Sequence, residues 1–197
     1  MMVKICGITN RDDAFAAVDG GASALGFNFY AGSPRYIAPD DAARVIDELP
    51  ATVWKVGVFV DEPSEYCAAT ARRIGLDVVQ LHGNETEFPK EVRVWKAARV
   101  GDGFNLADLD GLAVEAVLLD APSETQFGGT GRTFDWSVAA GARGKIILAG
   151  GLDGSNVGRA IEVSRPWGVD ACSRIESAPG RKDHEKMAKF LKAALQA

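Results

Sequence analysis

The sequence has little that would carry it into a membrane, onto a nucleic acid or out to an oxidising compartment. No window approaches the ~18 uninterrupted apolar residues of a membrane span. Met1-Met2-Val3-Lys4-Ile5 leads straight to Cys6 and Gly7, without the apolar stretch of roughly 7–15 residues that a secretion signal needs. Cations are in the minority, 22 Lys plus Arg against 27 Asp plus Glu. A net charge of −5 gives no broad positive field to attract nucleic acid or an anionic membrane, while leaving room for a local basic pocket. Cysteine is scarce: Cys6, Cys67 and Cys172 are odd in number and lack the paired spacing of zinc ligands. They read as free thiols in a reducing cytosol, and the cytoplasm is the expected compartment. No linker, low-complexity segment or charge block interrupts the chain, so residues 1–197 are expected to form a single domain.

What the sequence does have is glycine, 22 residues of it, and a regular alternation of short apolar runs with amphipathic stretches. Strands are expected at residues 3–6, 24–29, 53–60, 78–81, 92–98, 114–119, 145–149 and 168–172. Helical spacing follows at 10–19, at 63–74 and 156–163, and after Pro39, where proline suits a first helical turn. Shorter helices are predicted at 85–91, 104–109 and 136–140, and a closing one at 182–195. Strands that read as continuous apolar runs are those of a parallel sheet covered on both faces. Eight β-then-α units therefore predict an α/β protein, a single compact (β/α)8 TIM barrel, with its site at the C-terminal ends of the strands.

The residues just after each run are the informative ones. They are Cys6-Gly7, Ser33-Pro34-Arg35, Asp61, Gln80-Leu81-His82-Gly83, Asp120, Gly128-Gly129-Thr130-Gly131, Ala149-Gly150-Gly151 and Asp170-Ala171-Cys172-Ser173. Each has an ordinary reading when taken alone. Cys6 could be a buried apolar cysteine, Asp120 a loop-capping carboxylate, Arg35 a solvated surface arginine, and the glycine clusters simple turns. Together with Lys4-Ile5-Cys6-Gly7, Gly57-Val58-Phe59-Val60, Phe134-Asp135-Trp136, Gly150-Gly151-Leu152 and Glu176-Ser177-Ala178-Pro179-Gly180, they form ordered blocks over nearly the whole chain. This set resembles the phosphoribosylanthranilate isomerases of tryptophan biosynthesis.

The resemblance implies an Amadori rearrangement of a phosphosugar, needing one acid and one base on one face and no metal or redox cofactor. It makes Cys6 the general base and Asp120 the general acid, and gives Arg35 to the anthranilate carboxylate, which a guanidinium can grip through two parallel hydrogen bonds. Phosphate falls to the backbone of Gly128, Gly129, Thr130 and Gly131, to Gly150 and Gly151, and to Ser173 and Arg174. Ser173-Arg174-Ile175-Glu176 also fits a capping box opening a short helix. The base role sets a difficulty, because a free thiol with a pKa of about 8.5 is mostly protonated at neutral pH. Lys4, two residues back along the strand, would stand about 7 Å away by strand geometry and is not assumed to help. Asp120 has to hold a proton, so partial burial is expected there. His82 reads as a structural residue at a strand end.

One departure stands out: Cys172, Ser173 and Arg174 occupy positions where the family usually has two serines and a glycine. Arg174 could add a charge for the phosphate, and Cys172 would face Cys6 across neighbouring strands, close enough for an oxidant to join them. The partner expected is a small phosphosugar, with no nucleic acid and no membrane, bound to a monomer, a dimer being the alternative. Competing readings are a histidine-pathway isomerase, which has an aspartate where Cys6 stands, a tryptophan synthase α-type lyase, and a catalytically impaired phosphate-binding barrel.

Overall fold

The computed structural model describes residues 1–121 and 133–197. Eight parallel strands, β1 (Met2–Cys6), β2 (Ala24–Asn28), β3 (Trp54–Phe59), β4 (Val78–Leu81), β5 (Arg93–Arg99), β6 (Ala116–Asp120), β7 (Lys145–Leu148) and β8 (Gly168–Ala171), close into a barrel. Closure comes from β8 pairing with β1, Met2 opposite Gly168 and Ile5 opposite Ala171. Each strand begins and ends within about two residues of its predicted bounds, the ordinary scatter of element boundaries.

Alternate residues of each strand serve two separate cores. Outward residues such as Val3, Ile5, Leu25, Phe27, Leu119 and Val169 pack under the surrounding segments. Inward residues Met2, Ala24, Val56, Val78, Trp95, Leu118 and Ile147 fill the barrel itself. Among the described residues there are five α-helices: α1 (Arg11–Asp19), α2 (Pro39–Ile46), α3 (Ser64–Ile74), α4 (Val157–Ser164) and α5 (His184–Gln196). Asn10 caps α1 by accepting from the Asp13 N–H, Pro39 opens α2, and Gly75 ends α3 in the left-handed conformation. Among the described residues no helix is long and apolar enough to cross a membrane.

Four sequence expectations need correction. Residues 85–91 form no helix, because the Glu85 carboxylate is drawn back to the N–H groups of Asp61 and Gly83 and to Lys96 Nζ, and Pro89 lacks an N–H for a helical turn. The stretches at 104–109 and 136–140 contain only single 3-10 turns, Leu106–Leu109 and Trp136–Ala139, capped by Asn105 and Asp135. The closing helix starts after Lys182, not at it: Asp183 accepts from the N–H groups of Glu185 and Lys186 and so sets the helix start. Lys182 belongs instead to a small antiparallel pair, β9 (Glu176–Ala178) with β10 (Arg181–Lys182). The capping box does not form either. Ser173–Ile175 is a short 3-10 turn with Cys172 at its cap position and no side-chain cap, since Glu176 is engaged elsewhere.

Candidate active site

A cavity opens at the C-terminal ends of the strands, and most of the expected site residues meet there. Cys6, Arg35, Asp120, Gly150, Gly151, Ser173 and Arg174 all line it. Gly128, Gly129, Thr130 and Gly131 lie outside the described residues. Asn28, Gln80, His82, Asp170 and Cys172 join the lining; the sequence places the last four at strand ends without giving them a catalytic or binding role, and does not single out Asn28.

The inward face of β1 carries Met2, Lys4 and Cys6 in rising layers, and the β8 partners give each layer its neighbour. Met2 sits against Gly168, where a Cβ would come 2.6 Å from Met2 Cε. Lys4 is completely buried and its Nζ lies 2.9 Å from Asp170 Oδ1, an ion pair outside hydrogen-bond alignment. The strand pairing runs to Ile5 and Ala171, and one position beyond it Cys6 and Cys172, both free thiols, lie within interaction range of each other. The long Lys4 side chain climbs its strand. Lys4 Cε and Cys6 Sγ converge over Gly26, 3.1 and 2.8 Å from where a Cβ would stand. The 7 Å separation expected from strand spacing is thus a property of the backbone, and the ammonium closes it.

These neighbours act on the thiol. Cys6 is held well below the ordinary thiol value, first by hydrogen bonding with Cys172 and then by the charges of Lys4 and Lys182, against a burial cost. Cys172 is pushed the other way, first by its bond to Cys6 and then by burial. Burial pushes Asp170 up to about 8, against the pull of Lys4, and the negative charge of Cys6 adds to the rise. Two anions around one buried cation are unfavourable, so the raised Asp170 and the lowered Cys6 reflect one competition for the Lys4 charge.

Asp120 ends β6 buried, with Oδ1 accepting from the Ala121 N–H at 2.9 Å and Oδ2 lying 3.3 Å from His82 Nε2. Gly150 makes room for it. Its φ is +76°, and a Cβ there would stand 2.6 Å from Ala121 N and 3.0 Å from Asp120 Oδ1, so any other residue would displace the carboxylate. Gly7 has the same function beside Cys6, with φ +74° and the Arg35 and Cys172 side chains 2.8 and 3.0 Å from its missing Cβ.

Arg35 is reached by a stiff turn in which Ser33 Oγ accepts from the Arg35 N–H and from Asn28 Nδ2. Its guanidinium already holds one carboxylate: Nε and Nη2 grip Glu176 at 2.8 to 3.1 Å. Lys182 Nζ binds the same carboxylate at 2.9 Å, and the Gly180 N–H adds a contact at 3.3 Å. Those donors hold Glu176 below the usual carboxylate range although burial opposes them. Arg35 therefore presents to the cavity only the guanidinium edge that Glu176 leaves open. Arg174 leans away, its Nε 2.7 Å from Asp153 Oδ2.

Comparison with known proteins agrees with this arrangement. Residues 3–193 match the family described as N-(5'phosphoribosyl)anthranilate (PRA) isomerase. An N-(5'-phosphoribosyl)anthranilate isomerase of Solibacter usitatus (strain Ellin6076) is 52% identical over 196 residues, covering 98% of this chain and 97% of that protein. The crystal structure of phosphoribosyl anthranilate isomerase from Thermotoga maritima superposes with a TM-score of 0.90 at 41% identity, covering all of both chains. A phosphoribosyl anthranilate isomerase in complex with reduced 1-(o-carboxyphenylamino)-1-deoxyribulose 5-phosphate superposes at 0.87 with 39% identity, again covering all of both chains.

Proposed function

The chain belongs to the phosphoribosylanthranilate isomerase family, and we propose that within it Cys6 is the base and Asp120 the acid of the rearrangement. The enzyme converts N-(5-phosphoribosyl)anthranilate to 1-(2-carboxyphenylamino)-1-deoxyribulose 5-phosphate in tryptophan biosynthesis. In our reading, protonated Asp120 gives its proton to the furanose ring oxygen, the C1–O bond breaks, and the nitrogen lone pair forms a protonated Schiff base. The Cys6 thiolate then takes the proton from C2, the electron pair moves into a C1–C2 double bond, and the resulting enolamine tautomerises to the ketone. The observation that carries this assignment is a thiol with a buried cation at its flank, facing a cavity that also holds the buried carboxyl group of Asp120.

Recognition uses the rest of the rim. The open guanidinium edge of Arg35 suits the anthranilate carboxylate, and Glu176 fixes its direction. In this reading Gly150, Gly151, Ser173 and Arg174, which line the cavity after β7 and β8, take the phosphate, together with Gly128, Gly129, Thr130 and Gly131, which lie outside the described residues. The test is the decay of substrate fluorescence on adding enzyme. Asp120→Asn, which keeps the shape but cannot supply the proton, is expected to slow turnover by about 100-fold or more; turnover within threefold of the parent, on the order of 1 kcal/mol or less, would remove Asp120 from the acid role.

A further inference from the structure

The layer that contains Cys6 contains a second thiol, and the two are not equivalent. The pairing that sets Lys4 beside Asp170 runs to Ile5 and Ala171, and Cys6 and Cys172 follow one position later on the two chain segments, both lining the cavity. Gly7 and Gly26 leave the room for them, since a Cβ on either would touch one of the sulfurs at 3.0 or 2.8 Å. We propose that Cys172 is a positioning residue for the rearrangement, its S–H donating to the Cys6 sulfur so that Cys6 holds the negative charge and Cys172 the proton. The inference rests on the reading of Cys6 as base.

The surrounding charges decide which sulfur is the anion. Lys4 lies under Cys6, the two side chains converging over Gly26, and its buried Nζ, 2.9 Å from Asp170 Oδ1, has no aligned hydrogen-bond acceptor there. Cys172 has Lys182 Nζ at 4.0 Å, but that ammonium is bound to Glu176, whose carboxylate is ionised and shared with Arg35. Asp120 stands at the end of β6 with His82 Nε2 3.3 Å from its Oδ2. The ammonium with hydrogen bonds still to give is therefore on the Cys6 side, whereas Lys182 spends its own on Glu176, and Cys172 is the sulfur left with a proton to donate. A charge-assisted bond of this kind is roughly twice as strong as a neutral one.

The experiment follows the pH dependence of Cys6 alkylation by iodoacetamide, read by peptide mass spectrometry on the unliganded protein, beside the pH profile of kcat/KM. Cys172→Ala is expected to raise the Cys6 alkylation midpoint by on the order of one pH unit and to carry the rising limb of kcat/KM with it. Cys172→Ser, whose hydroxyl can donate in the same place, is expected to restore both. Cys172→Val, which fills the space without a donor, repeats the test without the void that Ala leaves. A midpoint unmoved in both the Ala and Val variants, or Cys172→Ser displaced as far as Cys172→Ala, overturns the proposal. Full turnover by Cys6→Ala is a separate failure: it removes Cys6 as base, and the role of Cys172 in the reaction falls with it.

Discussion

The two ends of the barrel interior are built from opposite chemistry. At the N-terminal end Trp54, Trp95 and Trp167 pack with ring centroids 5.9 to 6.1 Å apart. Arg93 and Lys145 stand over the Trp54 and Trp167 rings at 4.9 and 4.8 Å, keeping their charges at the outside of that plug. At the C-terminal end β1, β6 and β8, with the residue after β8, turn inward Lys4, Cys6, Asp120, Asp170 and Cys172, groups whose burial carries a desolvation cost. The aromatic end gains stability from burial, and the polar end uses some of that surplus to keep ionisable groups in a partly dry site. The comparison teaches that chemistry and stability in this fold are separated by one or two residues along each strand.

That separation can be broken or sharpened by substitution. Asp120→Asn should have the largest effect, a fall of about 100-fold or more in turnover with little change in thermal unfolding; a large loss of stability instead would make Asp120 a structural residue. At the other end, Trp95→Ala should destabilise by about 3–5 kcal/mol in chemical denaturation while leaving kcat per folded molecule within about twofold. Trp95 is wholly buried, although its indole N–H has no hydrogen-bond partner. A comparable fall in kcat would show that the two ends are coupled.

Glu176→Gln tests the boundary between them, because the carboxylate neutralises Arg35 and Lys182 behind the cavity. Breaking this buried group should cost about 3–5 kcal/mol and raise KM as Arg35 loses its orientation. The sign of its pH dependence follows from the depressed folded value. The stabilisation is complete above the unfolded carboxylate value of about 4.3 and is lost as the pH falls through the lower folded one. Acid titration of stability should therefore be flatter in Glu176→Gln than in the parent. Arg174→Gly should have the smallest effect, raising KM about two- to fivefold, since this part-exposed cation already shares its charge with Asp153. An unchanged KM would take Arg174 out of the phosphate site.

The fold was legible because buried parallel strands announce themselves as apolar runs, and eight of them at this spacing leave few architectures. Placing Cys6, Arg35 and Asp120 together followed from the rule that strand ends share a face. The support behind them was less visible. Lys4 and Asp170 pair across 166 positions through register alone. The one local sign was a charge inside each of two otherwise apolar strands, Val3-Lys4-Ile5 and Val169-Asp170-Ala171. Glu176 looked like a cap because the pattern of its neighbours fits one, whereas tertiary contact with Arg35 and Lys182 outweighs the few tenths to about 1 kcal/mol that a cap supplies. The missing helix at 85–91 is a similar case, decided by what Glu85 binds across the loop.

The most direct test of the division between the two ends is Cys6→Ala, with steady-state turnover of phosphoribosylanthranilate and thermal unfolding measured on the same preparation. Loss of the thiolate should lower kcat/KM by about 100-fold or more, while the melting temperature shifts by no more than about 2–4 °C, equivalent to roughly 1 kcal/mol in a chain of this length. Turnover within threefold of the parent, on the order of 1 kcal/mol or less in barrier, would contradict the account at its centre.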